Sequence, residues 1–589
     1  MNRFLLGQSY EQAGDLEKAK SIFEELFKTD QANVQYFYSL NKIYLSLKEY
    51  DASEQLLKER LRNFPYDITL YGMLGATYHL KGDEVSAFKT WDDALDRMGN
   101  NPQIFRTIAN YAIERRAFNK AIDILKRGQQ FGDDKKSLSY EIANLYSLTM
   151  QYKDAAEEYC RILSSNPDQL PSVESRIMQY VNKTDALTST ISVVEKYSDS
   201  HTNFEYLLAR LYIEQKNFDR AFDLYSSIDK KLNSGGAELM SFALFLFNEK
   251  QFNAAQNVYT VLLERYPASS FISEIKLGLA KTKEAILYST SDEDMETWKP
   301  YSIIKPNRTD EAGEVIKLYE QLTKLFPDSD VSYESELRIG WLYFFKYADR
   351  NNAGVYFKQI IEKSPYSQFS SSAYEGLGEI SLLNGNLDKA IEYYSLINEN
   401  SRTSFDRRNS AKYRLAQFYF FKNESEKSKK LLEEITRSLG DNTANDAIGF
   451  SLLLNTASYD SSNLLQFAEA EYLAAQQKYV QANEIYKNIA SDQQAFILKN
   501  ISGLRRAEMM IAVDDYTSAI PILQSISDEA EKNIYADKAL YLMAKIFQFG
   551  LKDTFKAVES YEKLLAKFPS SVYLDEARAE IIKLKEKIS

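Results

Sequence analysis

The sequence MLGATYHLKGDEVSAFKTWDDAL, residues 73–95, contains two helical patterns that are joined by a short turn at Gly82. Each pattern holds a small residue, Gly75 in the first and Ala87 in the second. A bulky residue, Trp91, follows Ala87 at helical spacing. Small side chains let two helix backbones approach closely, and bulky side chains fill the space beside the contact. The stretch therefore predicts a tight pair of antiparallel helices.

The same pattern recurs along the chain. Small residues return every 34 residues, and a bulky apolar residue follows each of them four positions later. The small residues are Ala19, Ser53, Ala87, Ala121 and Ala155, and their bulky partners are Phe23, Leu57, Trp91, Leu125 and Tyr159. A second, mostly small position lies twelve residues before each of them, at Gly7, Asn41, Gly75, Ala109 and Ala143. One helix pair cannot bury its apolar face alone, so this period predicts a stack of such pairs.

These positions resemble the tetratricopeptide repeat, whose pattern is W-x2-L-G-x2-Y, then A-x3-F, then P, with a period of 34 residues. The resemblance covers almost the whole chain. It implies an all-α, right-handed helical solenoid of about 14–15 antiparallel helix pairs. It also implies that the first helix of each pair lines a concave surface.

Later parts of the chain follow the pattern with looser spacing. The later pairs are Ala221/Tyr225, Ala255/Tyr259, Val315/Tyr319, Ala353/Phe357, Ala390/Tyr394, Ser428/Leu432, Ala482/Tyr486, Ala519/Leu523 and Ala557/Tyr561. Their spacing predicts six segments. These are a regular array over 1–169, a degenerate repeat and possible flexure over 170–200, a repeat pair and the start of an interrupted repeat over 201–287, an inserted loop over 288–309, a longer-period array over 310–572 with an extra helix near 445–457, and a C-terminal capping helix over 573–589.

Several later repeats have Pro-x-Ser just before their first helix, as in YPASSFISEIKLG, residues 266–278. Proline ends the preceding helix, and serine or a nearby aspartate caps the next one. This style resembles the repeats of bacterial envelope proteins, such as the outer-membrane β-barrel assembly lipoprotein and the periplasmic cell-division coordinator. The first predicted helix begins at Met1 without a capping residue, so a leader or further repeats precede it, or the first unit frays. A missing leader implies the periplasm or cell envelope, and otherwise we expect a cytoplasmic protein.

Composition argues against most other classes of protein. The net charge of −12 argues against nucleic acid as the main partner, because phosphate binding needs a basic surface. The chain has one cysteine, Cys160, and two histidines, His79 and His201, and it lacks the short motifs of metalloproteases, phosphate-binding loops and hydrolases. No apolar run approaches the roughly 18 residues of a membrane span. We therefore expect a non-catalytic protein without a cofactor, a bound metal or a membrane span.

In the repeat family, partner contacts come from the first helices, at positions close to the small residue. Carried over to this sequence, these positions are the candidate groove residues Tyr38, Lys42, Arg106, Asn110, Tyr140, Asn144, Tyr206, Arg210, Trp341, Phe344, Tyr413, Gln417, Phe420, Tyr541 and Lys545. Tyrosine, tryptophan and arginine are enriched at interface hot spots. The alternative is that many of these aromatic side chains pack between neighbouring repeats.

Two features leave further alternatives open. Arg106, Asn110 and Asn144 resemble part of the carboxylate clamp with which some family members hold a C-terminal peptide, but the following unit does not supply the matching basic residues. In the insertion, Trp298 and Tyr301 with their acidic neighbours allow two interpretations. They form a lid or a contact point for a partner, or they belong to a flexible surface loop without a function of its own.

Taken together, these patterns predict a protein-interaction scaffold or adaptor that holds peptides or helices of protein partners in its concave groove. Two other classes remain as alternatives: a bacterial cell-envelope assembly factor, and an accessory repeat array of a larger enzyme or complex. A fold by itself does not name a partner.

Overall fold

The computed structural model describes residues 2–131, 135–289, 297–306, 309–437, 442–529 and 533–588. Within these ranges the chain forms 32 α-helices and no β-strand, which confirms the all-α prediction. The helices group into two compact units, residues 1–239 and residues 240–589, and the boundary falls inside one helix. Within the same ranges, no helix is both long and apolar enough to cross a membrane.

The first unit consists of seven consecutive helix pairs. Its helices are α1 (Asn2–Gln12), α2 (Leu16–Thr29), α3 (Val34–Ser46), α4 (Tyr50–Asn63), α5 (Ile68–Lys81), α6 (Glu84–Met98), α7 (Pro102–Glu114), α8 (Phe118–Gly128), α9 (Lys135–Leu148), α10 (Tyr152–Ser165), α11 (Leu170–Met178), α12 (Ala186–Val194), α13 (Thr202–Glu214) and α14 (Phe218–Leu232). The helix α15 (Ala237–Asn248) contains the boundary between the units.

Within a pair, the bulky residue of the second helix lies against the backbone of the first. Trp91 in α6 is fully buried, and its indole N–H donates to the Gly72 carbonyl of α5 at 3.2 Å. A Cβ atom at Gly75 would come within 2.1 Å of Nε1 of Trp91, so only glycine fits at this position. Ala87, one turn before Trp91, is also fully buried. The small-and-bulky pattern in the sequence therefore corresponds to close helix packing.

The turn inside most pairs has a left-handed residue at a fixed place, five positions before the small residue. In the first five pairs these residues are Gly14, Lys48, Gly82, Arg116 and Met150, and all have φ between 58° and 88°. Glycine adopts this conformation at little cost, whereas other residues are strained in it. The turn thus keeps the period of 34 residues even where the sequence does not contain glycine.

The segment predicted as a degenerate repeat forms a short helix pair. The helices α11 and α12 have 9 residues each. A 3₁₀ turn, Pro167–Gln169, precedes α11, and another, Glu195–Tyr197, follows α12. Val173 and Ile177 of α11 and Val193 and Val194 of α12 are buried, so this pair continues the apolar core of the first unit.

The second unit contains eight helix pairs and two additional helices. Its helices after α15 are α16 (Phe252–Arg265), α17 (Ile272–Ser289), α18 (Asp310–Leu325), α19 (Asp330–Phe345), α20 (Arg350–Lys363), α21 (Ser370–Leu383), α22 (Leu387–Glu399), α23 (Phe405–Phe421), α24 (Ser425–Thr436), α25 (Asn442–Thr456), α26 (Ser461–Ala475), α27 (Tyr479–Ser491), α28 (Phe496–Ala512), α29 (Tyr516–Asp528), α30 (Ala536–Lys545), α31 (Thr554–Lys567) and α32 (Leu574–Ile588). One π-helical turn, Ile546–Gly550, follows α30.

The additional helices are α25, in the segment where the sequence indicates an extra helix, and α32 at the end. The first helices α23 and α26 contact each other directly, and α25 packs against α23 and α24. The extra helix therefore lies beside the stack and leaves the succession of first helices intact. The helix α32 packs on α31 and buries Ala577 and Leu584.

Candidate functional site

The first helices of four pairs in the second unit face a common cavity. Its volume is about 460 Å³, and α19, α21, α23 and α26 all contribute to its wall. The lining residues from these helices are Trp341, Phe344, Phe345, Glu375, Glu379, Leu383, Arg414, Gln417, Phe421, Glu471, Ala474 and Ala475. We call the surface formed by these residues the inner surface of the second unit. It combines aromatic side chains with both signs of charge.

Two further cavities adjoin this surface. One, of about 390 Å³, extends it along α23, α25 and α28, with Tyr413, Phe450 and Arg505 in its wall. The other, of about 620 Å³, lies between α21 and α23 beside Glu375 and Arg407. Burial raises the pKa of Glu375, and the positive charge of Arg407 opposes that shift. The inner surface is therefore indented along several repeats.

The charged residues of the inner surface are held in place by hydrogen bonds. Glu379 of α21 accepts a hydrogen bond of 2.6 Å from the hydroxyl of Tyr394, the bulky residue of α22. Arg414 of α23 donates to both carboxylate oxygens of Glu379, at 3.0 and 2.9 Å. Burial opposes ionisation of Glu379, but the charge and hydrogen bonds of Arg414 and the hydrogen bond of Tyr394 outweigh it, so the pKa of Glu379 is lowered. This triad links three consecutive helices.

The same arrangement recurs in other repeats. Each copy has an acceptor on a first helix, a tyrosine at the bulky position of the second helix, and an arginine on the next first helix. The further copies are Glu284/Tyr319/Arg338, Glu471/Tyr486/Arg505 and, in the first unit, Asn144/Tyr159/Arg176. Sequence reasoning missed these triads, although the tyrosine at the bulky position, with an arginine 17–20 residues later in the printed sequence, is a recognisable signal.

The candidate groove residues of the first unit lie on α3, α7, α9 and α13. Asn110 is exposed, and Tyr38 is 40% exposed. The cationic side chains are paired with carboxylates: Lys42 lies 2.6 Å from Glu11, Arg106 lies 2.7 Å from Glu141, and Arg210 lies 2.8 Å from Glu214. The aromatic ring of Tyr206 lies 6.2 Å from that of Tyr225.

Two of the three residues that resemble a carboxylate clamp, Arg106 and Asn144, already have partners inside the protein. The amide oxygen of Asn144 accepts from Tyr159 and Arg176, and Nε of Arg106 donates to Glu141. Tyr140, beside them on α9, donates to Gln169 at 3.0 Å. A peptide carboxylate would have to replace these contacts.

The candidate residues of the second unit differ in exposure. Trp341, Tyr413 and Gln417 are half-buried and line the cavities. Phe344 and Phe420 also border the cavities, but they are only 4% and 2% exposed because they pack in the cores between repeats. They therefore offer an incoming partner little surface.

The last two candidates, Tyr541 and Lys545, lie on α30. The ring of Tyr541 stacks on Tyr573 at 4.4 Å. Lys545 is only 6% exposed, and its ammonium lies 2.6 Å from Glu576. Both side chains hold α30 against the start of the last helix.

The cysteine and the two histidines of the chain all have packing or capping roles. Cys160 is fully buried, and burial raises the pKa of its thiol to about 12. His79 stacks on Trp91, and His201 caps the start of α13. Among the described residues, no group of three or more His, Cys, Asp or Glu side chains is placed to hold a metal ion.

These observations define a class of protein: an array of helix pairs in which first helices of the second unit form a shared, indented surface. Comparison with protein families identifies the repeat. Residues 4–68 and residues 538–571 each match a family model described as tetratricopeptide repeat. The chain thus contains tetratricopeptide repeats at residues 4–68 and 538–571, as the spacing of small and bulky residues predicted.

Two characterised proteins are similar to parts of the chain. Human antiviral innate immune response effector IFIT1 is 23% identical over 222 residues, which cover 36% of this chain and 44% of IFIT1. The bovine BBSome complex member BBS4 is 26% identical over 122 residues, which cover 21% of this chain and 22% of BBS4. The chain spans less than half of the length of these relatives.

Solved structures also align with the chain along almost its full length. One is a chain of the structure of Naa15/Naa10 bound to HypK-THB, with 14% identity, 100% of this chain and 96% of that chain covered, and a TM-score of 0.31. Another is a chain of the crystal structure of the APC/C hetero-tetramer Cut9-Hcn1, with 14% identity, coverage of 98% and 95%, and a TM-score of 0.22. At these scores the similarity carries no functional argument.

Proposed function

We propose that the protein is a non-catalytic interaction scaffold, and that it binds peptides or helices of protein partners on the inner surfaces of its helix-pair units. One observation carries the proposal: first helices from four pairs line one cavity of the second unit. Concave surfaces of this kind are how stacked helical repeats bind extended partners.

The chemistry of the inner surface suits peptide recognition. Trp341 and Tyr413 offer large half-buried aromatic faces, and Gln417 offers both a hydrogen-bond donor and an acceptor. The triads fix Glu379 and Arg414 in position before a partner arrives, so little conformational entropy is lost when a partner binds them. We propose partner contacts for all fifteen candidate groove residues, although the side chains of Phe344, Phe420 and Lys545 are themselves buried.

The relatives support this class of function. The matched protein BBS4 is by its name a member of a complex, the BBSome. Assembly with other proteins is the role that we propose for this chain as well.

The proposal is tested by selecting binding peptides from a displayed random library and measuring their affinity for variants. Ala475→Phe fills the cavity, and Gln417→Ala removes a hydrogen-bonding side chain from its wall. We expect each to weaken peptides that bind this surface by about tenfold or more, equal to about 1.4 kcal/mol. Ala566→Phe, on an exposed position of α31, is the matched control and should change nothing. If all selected peptides bind Ala475→Phe and Gln417→Ala as tightly as the unaltered chain, the proposal is contradicted.

A further inference from the structure

Part of the insertion, residues 297–306, lies against the inner surface of the second unit and against the repeats that follow it, rather than standing free as a loop. Residues 290–296 and 307–308 lie outside the described residues. Trp298 stacks on Phe549 of the π-helical turn with ring centres 6.0 Å apart, and it lies 6.0 Å from Tyr516. π-helical turns are frequent at functional sites.

The second aromatic residue of the segment packs on a different repeat. The ring of Tyr301 meets Tyr479 edge-on at 5.9 Å, and the guanidinium of Arg505 lies 5.7 Å above the ring of Tyr301. The hydroxyl of Tyr479 donates to the carbonyl of Ser302 at 2.8 Å. Arg505 also belongs to one of the triads, so the segment contacts the preorganised part of the surface.

A lysine between the two aromatic residues adds a charge contact. The ammonium of Lys299 lies 2.6 Å from Asp514, and its side chain is only 3% exposed. Lys305 approaches the other oxygen of Asp514 at 3.4 Å. Burial alone would raise the pKa of Asp514, but its hydrogen bonds from Lys299 and Tyr516 and the charges of the two lysines lower it to about 2.

The segment packs on the second unit without regular secondary structure over most of its length, as a bound peptide would. Its residues 302–306 are neither helix nor strand, and Ser302, Ile303, Lys305 and Pro306 are exposed. Ile304, like Trp341, packs against the buried apolar cluster that includes Phe344. Tyr301, Ser302 and Ile304 form one side of the 460 Å³ cavity. The segment therefore fills part of the inner surface and leaves an adjoining cavity open.

We propose that residues 297–306 are an internal ligand of this inner surface, and that an external partner binds there with an extended segment of the same chemistry: an aromatic residue, a lysine and a second aromatic residue. The proposal rests on the proposed function and names both the partner chemistry and its regulation. The partner has to displace the internal segment. A tethered ligand competes at an effective concentration on the order of 1 mM, so a segment that binds with an intrinsic Kd of about 10 µM weakens a competing peptide by roughly 100-fold.

The test uses the synthetic peptide TWKPYSIIKP, which copies residues 297–306, with a fluorophore for anisotropy. The full chain is compared with the variant Trp298→Ala/Tyr301→Ala, in which the internal segment is weakened. We expect the variant to bind the peptide about 100-fold more tightly than the unaltered chain. The matched control Tyr459→Ala/Phe555→Ala removes two exposed aromatic rings of the same unit and should bind like the unaltered chain. The peptide TAKPASIIKP should bind at least tenfold more weakly than TWKPYSIIKP.

A charge exchange tests where the peptide binds. Adding Asp514→Lys to the opened variant should weaken TWKPYSIIKP about tenfold, and the peptide TWEPYSIIKP should recover the loss. Asp514 is the left-handed turn residue of its pair, and lysine occupies the same turn position at Lys48, Lys216 and Lys250. The substitution is therefore compatible with the local backbone.

A second measurement does not depend on the folding of the variant. Excess TWKPYSIIKP added to the unaltered chain should raise the hydrogen-exchange rate of the internal residues 297–306 several-fold, because the peptide displaces them. Equal binding to the opened variant and the unaltered chain, or unchanged exchange, would overturn the internal-ligand proposal. If library-selected peptides still respond to Ala475→Phe in that case, the proposed function stands and only this inference fails.

Discussion

Phe357 of α20 lies between two helix backbones, and this predicts the effect of a single methyl group. The ring is fully buried between Gly340 of α19 and Gly376 of α21. A Cβ atom at Gly340 would lie 2.5 Å from Cε1 of Phe357, and a Cβ atom at Gly376 would lie 2.3 Å from Cε2. The ring cannot move away from one helix without approaching the other. We therefore expect Gly340→Ala to destabilise the second unit.

The magnitude follows from two opposing effects. Ordinary contacts of a Cβ atom begin near 3.4 Å, so the new methyl group overlaps the ring by about 0.9 Å. Overpacking of this kind costs about 1–3 kcal/mol. Replacing glycine by alanine inside a helix gains about 1 kcal/mol. The net expectation for Gly340→Ala is a loss of about 1 kcal/mol, within a range of about 0–2 kcal/mol.

Gly449 provides a matched control in the same unit. It is an exposed residue inside α25, and a Cβ atom there would meet nothing within 4 Å. Gly449→Ala should therefore show only the gain in helix propensity, about 1 kcal/mol. The difference between the two variants isolates the overpacking term of about 1–3 kcal/mol.

The assay is urea unfolding followed by circular dichroism at 222 nm, with the transition of the second unit monitored for both variants. The midpoint should fall for Gly340→Ala and rise for Gly449→Ala. Equal shifts of the same sign would refute the reasoning, because they would mean that Phe357 does not occupy the space beside Gly340. A double variant, Gly340→Ala/Phe357→Leu, should lose less stability than the sum of its single changes.

Three further predictions concern other elements. Ala121→Leu, at a fully buried small position, should destabilise the chain by about 1–3 kcal/mol in thermal unfolding, whereas Asp123→Leu on the exposed face of the same helix should have little effect. Met150→Gly should stabilise it by about 0.5–1 kcal/mol in urea unfolding, because φ is 61° at this turn, and an unchanged midpoint would contradict the assumed strain. Arg414→Met should cost about 2–4 kcal/mol at pH 7 because it leaves the carboxylate of Glu379 without its cation. The lowered pKa of Glu379 stabilises the folded chain fully only above the unfolded pKa of about 4.3, and this stabilisation is lost as the pH falls through the folded pKa. The difference in stability between Arg414→Met and the unaltered chain should therefore shrink when unfolding is measured near pH 4.

The repeat was predictable because it depends on contacts between neighbours in sequence. Gly75, Ala87 and Trp91 meet within one helix pair, so their types and spacing carry the geometry of the pair. The same holds for the bulky positions farther along the chain, such as Tyr486 and Tyr561, which are fully buried.

Other features left weaker signals in the sequence than the small and bulky residues did. The left-handed turn residues keep the period, yet most of them are not glycine, so residue type alone does not mark them. The triads link three helices through polar side chains such as Glu471 and Arg505, and charged residues at helical spacing usually belong to solvated faces. Their role became visible only when the distances between side chains were known.

The sequence by itself determined the all-α class, the tetratricopeptide repeat and the small and bulky positions, because each repeat folds mainly through contacts with itself and its neighbours. Only the tertiary structure decided which polar residues form triads and what the insertion contacts. Lys299 and Asp514 are 215 residues apart in the chain, and no period connects them. They meet because stacked repeats that are distant in sequence contribute to one surface. A non-repeating segment that packs on that surface leaves no periodic pattern in the sequence.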